Sequence, residues 1–331
     1  MRGTYAIIGG AGFVGTNLAL ALLARGDAVS CLDHPGAAES PNVTAMQAYP
    51  GFRFVGGDVC DATCVRDFLD GEFDAVFHLA SVVGVRNYLR DPMRLIEVNI
   101  TGTRNVAQIC AARDLRLVFT STSEVLGRNP DAPWAEDADR VYGAPTVDRW
   151  AYGTSKGLAE HMLNAMVPDG LRASIVRFFN VYGPYQQPYF VVSKSLQHAM
   201  RGEAPLVYDS GKQTRCFTYI GDAVEACLAI AATRATIGGT YHIGSRFEWT
   251  IADIIAVIQR VTGNTHAAER FDTGYAYGTR YEDIERRVPD VSKIQRDTGW
   301  TARTDVETGI RRFRDWAYQN AWWMNLDNRV V

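Results

Sequence analysis

Apolar and polar positions along this chain fall into two alternating periods, and the changes of period predict a strand–helix–strand order. Thr4-Tyr5-Ala6-Ile7-Ile8 is a short continuous apolar run, the pattern of a strand buried on both faces. A glycine-rich turn follows, then an apolar helix from Asn17 to Arg25 closed by Gly26. A second apolar run, Ala28-Val29-Ser30-Cys31-Leu32, stops at Asp33. The same alternation predicts strands at Phe52–Val55, Ala75–Ser81, Leu115–Phe119 and Ala173–Phe178. Helices are expected from about Pro92 to Arg113 and through Lys156 to about Met166. From residue 179 the alternation loosens into a helix over 190–201, a strand Leu206–Tyr208, a turn Asp209–Lys212 and the segment Gln213–Phe217. An amphipathic helix over 222–233 and a strand from Gly239 to Ile243 are expected to return to the first unit, and an amphipathic helix near 305–322 ends the pattern.

The first turn reads Gly9-Gly10-Ala11-Gly12-Phe13-Val14-Gly15, with a strand before it, a helix after it and Asp33 at the end of the next strand. Glycines at this spacing let the backbone approach a pyrophosphate at a helix N-terminus, where free N–H groups and the helix dipole favour negative charge. The alternative, a tight turn with no ligand, explains neither the following helix nor the acid. Asp33 is placed to accept ribose hydroxyls and would repel a 2′-phosphate, which predicts NAD rather than NADP. The fold class expected is therefore α/β, a Rossmann-type doubly wound parallel sheet with a smaller mixed α/β C-terminal substrate lobe. The NAD-binding domain is set at 1–178, with 218–245 returning to it, and the lobe at 179–217 and 246–331.

Composition narrows the partners. A chain of 331 residues suits one large or two moderate domains. Charged residues are 21% and the net charge is -3, so no nucleic-acid or membrane-surface footprint is expected. No apolar run reaches membrane-spanning length, and a strand beginning at Thr4 leaves no room for a signal peptide. The six cysteines are scattered, and Cys60/Cys64 has no partner pair at zinc spacing, so idle thiols in a reducing cytoplasm and no metal are expected.

Candidate chemistry follows the strand ends, where ligands of doubly wound sheets bind. Asp58, beside Val59, is placed to receive an adenine amino group, and Leu79, Ala80 and Ser81 end a strand over the expected cofactor. His78 reads as a packing residue. Asn99, polar on an apolar helix, reads as buried structure or as support for the active-site backbone. Thr122, Ser123 and Glu124 lie just past a strand end, where nicotinamide and substrate should meet. Tyr152 and Lys156, four apart, share one helix face. An ammonium beside a phenol favours phenolate, so Tyr152 is expected to act as a base, with Thr122 completing a proton-handling trio. The tryptophans at 316, 322 and 323 read as packing or interface rather than as a ligand cage.

With these pieces in place the whole chain resembles an extended short-chain dehydrogenase/reductase acting on nucleotide sugars. The matching segments are the glycine turn, Gly57-Asp58-Val59, His78-Leu79-Ala80, Tyr152-x-x-x-Lys156, Arg177–Pro184 and Gln213–Ile220 with Asp222. The resemblance implies transient oxidation at sugar C4 by tightly held NAD, with Tyr152 as base, Lys156 lowering its pKa and holding the nicotinamide ribose, and Thr122 orienting the sugar hydroxyl. It assigns Asn180, Tyr208, Arg215 and Arg280 to the nucleotide and its pyrophosphate, and Val85 and Arg149 to the substrate. It also implies a homodimer formed through helices near 92–112 and 151–166.

Three branches of that family differ after the oxidation. The 4,6-dehydratases carry Thr-Asp-Glu where this chain has Thr122-Ser123-Glu124, which removes the acid expected to protonate a leaving hydroxyl. The 4-epimerases usually have a small or neutral residue at the Glu124 position. The UDP-glucuronate decarboxylases carry Thr-Ser-Glu, an Arg-Trp-x-Tyr motif like Arg149-Trp150-Ala151-Tyr152, and a late motif like Tyr281-Glu282-Asp283-Ile284-Glu285-Arg286-Arg287-Val288-Pro289. The segment Tyr88–Pro92 also resembles that branch. Glu124 and Ser123 would then position the sugar and protonate C5, and Arg287 would grip the carboxylate. The plainer alternatives are a strand-end acid paired with an arginine and a solvated basic stretch. Leu126 and the short loop Tyr185–Phe190, which brings no basic residue before Lys194, depart from the decarboxylase pattern and keep a UDP-sugar 4-epimerase open. A catalytically idle NAD-binding regulator on the same fold is the reading from another class.

Overall fold

The computed structural model describes residues 2–84, 90–278 and 282–327. Its centre is a parallel sheet built from β1 (Thr4–Ile8), β2 (Ala28–Asp33), β3 (Phe52–Gly56), β4 (Ala75–His78), β5 (Leu117–Thr122) and β6 (Ala173–Phe178). Outside that sheet follow the short strands β7 (Val181–Tyr182), β8 (Leu206–Tyr208), β9 (Thr214–Cys216) and β10 (Thr218–Tyr219), with β10 paired on β7. β11 (Thr240–Ile243) then pairs in parallel with β6 as the seventh strand of the main sheet. The order is β11-β6-β5-β4-β1-β2-β3, so the winding reverses between β1 and β4. That reversal opens a crevice beyond the C-terminal ends of the strands.

Side chains alternate between the two faces of each strand. Ile7, Val29, Phe77 and Val118 pack on one face against Leu18 and Leu22 of α1 (Phe13–Ala24), while Ile8, Val76, Leu117 and Phe119 pack on the other. The second face is covered by α2 (Thr103–Ala112) and α3 (Arg149–Met166), through Val106, Ala159 and Leu163. Burial on both faces is why these strands read as unbroken apolar runs.

Several boundaries differ from the periodicity, each for a tertiary reason. β4 stops at His78 instead of continuing to Ser81, because its neighbour β1 ends at Ile8 and turns away at Gly9. β5 runs on to Thr122, since β6 stays alongside it as far as Phe178. The helix expected over 92–113 is interrupted by a π turn at Val98–Gly102, which carries Asn99 as its second residue. The terminal helix divides at Asn320 into α4 (Val306–Gln319) and the single turn α5 (Ala321–Met324).

The lobe has its own core, in which Ile254, Ile255 and Ile258 meet Leu196, Phe313 and Trp323. A three-stranded sheet there has the order β12-β9-β14, where β12 is Glu248–Thr250 and β14 is Arg286–Arg287, with β13 (Glu269–Phe271) pairing on β8 instead. Among the described residues no helix is long and apolar enough to cross a membrane, and no group of three or more His, Cys, Asp or Glu side chains is placed to hold a metal ion.

Candidate active site

A cavity of about 1000 Å³ occupies the crevice and runs from Asp33 and Asp58 to Glu124 and Arg287. Its first half is made by the glycine turn. Gly9 has φ +88, and a Cβ there would stand 2.5 Å from the backbone nitrogen of Ala80, so only glycine lets β1 leave the sheet beside that segment. α1 opens at Gly12 with no side-chain cap and no acid in its first turn, which leaves its N-terminal N–H groups to an anion. A Cβ on Gly12 would meet only the Gly9 carbonyl oxygen, at 3.4 Å, so packing within the protein does not demand glycine there. The position lines the cavity, beside Phe13, Val14 and Gly15, and a bare backbone suits a ligand that comes close.

Asp33 closes the same wall. Its Oδ2 accepts the Ala11 N–H at 2.8 Å and its Oδ1 accepts the His34 N–H at 2.7 Å. Burial pushes its carboxyl above the usual range, opposed by those two backbone donors. Asp58 accepts the Cys60 N–H at 2.9 Å and is paired with Arg94 at 2.7 Å, a partner that the chain pattern did not announce. Val59, Leu79, Ala80 and Ser81 line the same cavity. An acid at the ribose end, a bare helix N-terminus and a bared backbone between them fit an NAD dinucleotide.

The second half gathers the reactive side chains. Thr122 is the last residue of β5, not a residue past its end, and Ser123 and Glu124 follow on a single 3-10 turn. A Cβ on Gly153 would lie 2.4 Å from the Glu124 carbonyl oxygen, so α3 meets this turn backbone to backbone and brings Tyr152 with it. The Tyr152 phenol comes beside the Ser81 and Thr122 hydroxyls, which favour its ionised form. Asn99 is fully buried behind them: it accepts the Ser81 hydroxyl at 2.7 Å and donates to the Ser155 hydroxyl at 3.0 Å. It does not line the cavity, so it is a buried group that positions Ser81 rather than one that touches a cofactor.

The expectation that Lys156 makes the Tyr152 phenol acidic is corrected by the geometry. Burial raises the phenol well above its ordinary value and the Glu124 charge adds to this, while the Ser81 and Thr122 hydrogen bonds and the Arg287 charge oppose it. Lys156 instead donates to the Thr120 carbonyl at 3.0 Å and sits 4.6 Å from the centre of the Phe119 ring. Its burial pushes the ammonium down to about 7, with Glu160 opposing. His78 is buried and neutral, pushed down to about 3 by burial and by Lys156, and bonds Thr103 at 3.1 Å.

Arg287 arrives from the far end of the chain. β14 pairs in parallel with β9, Arg287 opposite Arg215, and Val288 and Asp290 are stitched to Trp134 by backbone bonds of 2.8 and 2.7 Å. Arg287 therefore lines the cavity, donating to Glu124 at 3.2 Å and to Asn180 at 3.0 Å. Among the described residues, Glu124 Oε2 and Arg287 Nε are buried without a hydrogen-bond partner, which leaves the pair capacity for a polar ligand.

The other expected substrate residues divide. Asn180 lines the cavity. Arg149 does not: it is buried behind Glu124, 3.6 Å from it and 3.7 Å from Asp283. Arg215 is likewise drawn inward, 3.0 Å from Asp283, and Tyr208 packs against Phe271 with ring centroids 5.1 Å apart. Asp283 supplies a carboxylate to both of these buried arginines. Asp283 stands in the late motif that carries Arg287, where the chain pattern gives it no separate role. Val85 and Arg280 lie outside the described residues, as do Tyr88, Leu89 and Tyr281. Leu126 is buried with Val125, Trp134 and Trp150, so its departure from the decarboxylase pattern is a matter of packing. Of the C-terminal tryptophans, Trp316 and Trp323 pack together, but Trp322 lines the cavity, which corrects the purely structural reading of that cluster.

Residues 5–244 match the NAD dependent epimerase/dehydratase family. A UDP-N-acetyl-alpha-D-glucosaminuronate decarboxylase from Bacillus cytotoxicus is 34% identical over 313 residues, covering 94% of this chain and 96% of that protein. A dTDP-glucose 4,6-dehydratase from Mycolicibacterium smegmatis is 31% identical over 332 residues, covering 98% of this chain and 96% of that protein. Among solved structures, a UDP-glucuronic acid 4-epimerase from Bacillus cereus in complex with UDP-glucuronic acid and NAD superposes with a TM-score of 0.81 at 25% identity, covering 96% of this chain and 99% of that chain.

Proposed function

We propose that this chain, which belongs to the NAD dependent epimerase/dehydratase family, is an NAD-dependent decarboxylase of a UDP-linked hexuronate. The observation that carries the reading is the Glu124–Arg287 pair in the cavity wall, with Tyr152 and Thr122 in the same cavity. Bound NAD supplies the hydride acceptor for oxidation at sugar C4. In its ionised form Tyr152 takes the proton of the C4 hydroxyl, and the Ser81 and Thr122 hydroxyls and the Arg287 charge favour that form. The resulting β-keto acid loses CO2 readily once its carboxylate is turned out of the carbonyl plane. Arg287 binds that carboxylate and stabilises the developing enolate. Glu124 and Ser123 position the sugar for protonation at C5, and Tyr152 returns its proton to the C4 oxygen as the hydride that bound NAD would hold goes back to C4.

The 34% identity with a hexuronate decarboxylase over nearly the full length supports this choice. A 4-epimerase of a UDP-sugar is the second reading, favoured by the cavity lining at 186–190, which among the described residues brings no basic side chain. Incubation of the purified protein with UDP-glucuronate, UDP-N-acetylglucosaminuronate and UDP-glucose, followed by mass spectrometry and proton NMR, separates them. Loss of CO2 from either uronate is expected. Unchanged mass with an inverted C4 coupling would replace the decarboxylase by the epimerase, and loss of water would bring in the dehydratase.

A homodimer belongs to the same reading. Met93, Ile96 and Leu158 are exposed on the helices at Pro92–Glu97 and Arg149–Met166, an apolar set suited to a second copy. The six cysteines are free, four of them buried, which supports a reducing cytoplasm.

A further inference from the structure

We infer that Trp322, carried by the single-turn helix at Ala321–Met324, binds the nucleotide sugar and completes the active site from the C-terminal end of the chain. Trp322 and Leu326 line the same cavity as Tyr152, beside Gln186, Gln187 and Tyr189. The indole is held on its protein side: Trp316 meets it edge to face at 5.8 Å, Tyr185 lies 6.4 Å away, and its Nε1 donates to Asn320 at 3.1 Å. With its N–H satisfied inside the protein, the ring offers the cavity an apolar aromatic surface. Such a surface suits the C–H face of a pyranose or a flat pyrimidine.

The segment that carries it is built in. Trp323 donates through Nε1 to the Gln186 carbonyl at 2.7 Å, Gln197 donates to the Trp323 carbonyl at 2.8 Å, and Arg201 donates to the Met324 carbonyl and, at 2.9 Å, to that of Leu326. The C-terminal turn and the loop after Gly183 therefore form one wall. That loop is also tied to the cofactor side, since Asn17 of α1 donates to the Pro184 carbonyl at 2.9 Å. The inference rests on the nucleotide-sugar reading of the cavity but not on which reaction follows.

Calorimetric titration of the NAD-loaded protein with UDP-glucuronate and with UDP tests it, using Trp322→Ala and the space-conserving Trp322→Leu and Trp322→Phe. Either aliphatic variant is expected to weaken binding of UDP-glucuronate about tenfold, the scale of one lost aromatic contact. Trp322→Phe should recover most of it, with NAD content and melting temperature unchanged. Weakening for UDP-glucuronate alone places the ring against the sugar, and weakening for both ligands places it against the nucleotide; each supports the assignment. Unchanged affinity in a folded Trp322→Leu protein, or a loss of NAD without a loss of sugar-nucleotide affinity, overturns it. A wild-type protein that binds UDP-glucuronate but releases no CO2 removes the decarboxylase reading and leaves this assignment standing.

Discussion

The charge environment of one phenol governs how the site can work. Tyr152 is buried, and the Glu124 carboxylate raises its pKa further, whereas the Arg287 guanidinium lowers it. Glu124 is itself held by Arg287 at 3.2 Å and by Arg149 at 3.6 Å. A carboxylate near the phenol penalises the phenolate, so its removal makes the base available at lower pH. Glu124→Gln is therefore expected to move the acid limb of the kcat/KM profile to lower pH while cutting kcat roughly a hundredfold through loss of substrate positioning. An acid limb that stays in place or moves up would disconnect Glu124 from the Tyr152 titration.

At the scale of elements, the catalytic helix is placed by backbone contact and by one irregular turn. Gly153 lets α3 touch the Glu124 carbonyl, where a methyl group would stand at 2.4 Å. Gly153→Ala is expected to cost about 1–3 kcal/mol by overpacking, read as a lower melting temperature, and to reduce turnover with it. A variant with wild-type melting and turnover would show that the helix and the turn have slack. The π turn at Val98–Gly102 does the complementary work from the other side, carrying Asn99 to both Ser81 and Ser155. Wide turns of this kind often occur at functional sites. Nothing in the apolar periodicity of 92–113 signals the interruption, because one extra residue in a turn leaves the pattern on either side intact.

The whole molecule joins a doubly wound sheet to a lobe whose parts come from separate stretches of chain. The reversal between β1 and β4 supplies the crevice, and the lobe closes its open side with Asn180, Arg287 and Trp322. On the catalytic helix Leu158 is 56% exposed, and on the helix at Pro92–Glu97 Met93 is 72% exposed, so a charge there is not expected to disturb the core. Leu158→Arg should halve the mass measured by light scattering at micromolar concentration while the circular dichroism stays native. A wild-type protein that already runs as a monomer would remove the dimer.

What was legible in the chain was what is local or periodic. Buried parallel strands require apolar runs, a pyrophosphate turn requires glycines at fixed spacing, and a helix puts residues four apart on one face, so β1, the glycine turn, Asp33 and the Tyr152/Lys156 pair could be read directly. The direction of the Tyr152 shift could not, because it depends on burial and on Glu124 rather than on the neighbour four residues away. Nor could the fate of the arginines. Arg149 and Arg215 turn inward to Asp283, and Arg287 reaches Glu124 across 163 residues of chain. Those pairings follow from the register of β14 on β9 and from the cost of burying a guanidinium without a carboxylate, and both are decided only when the chain is folded.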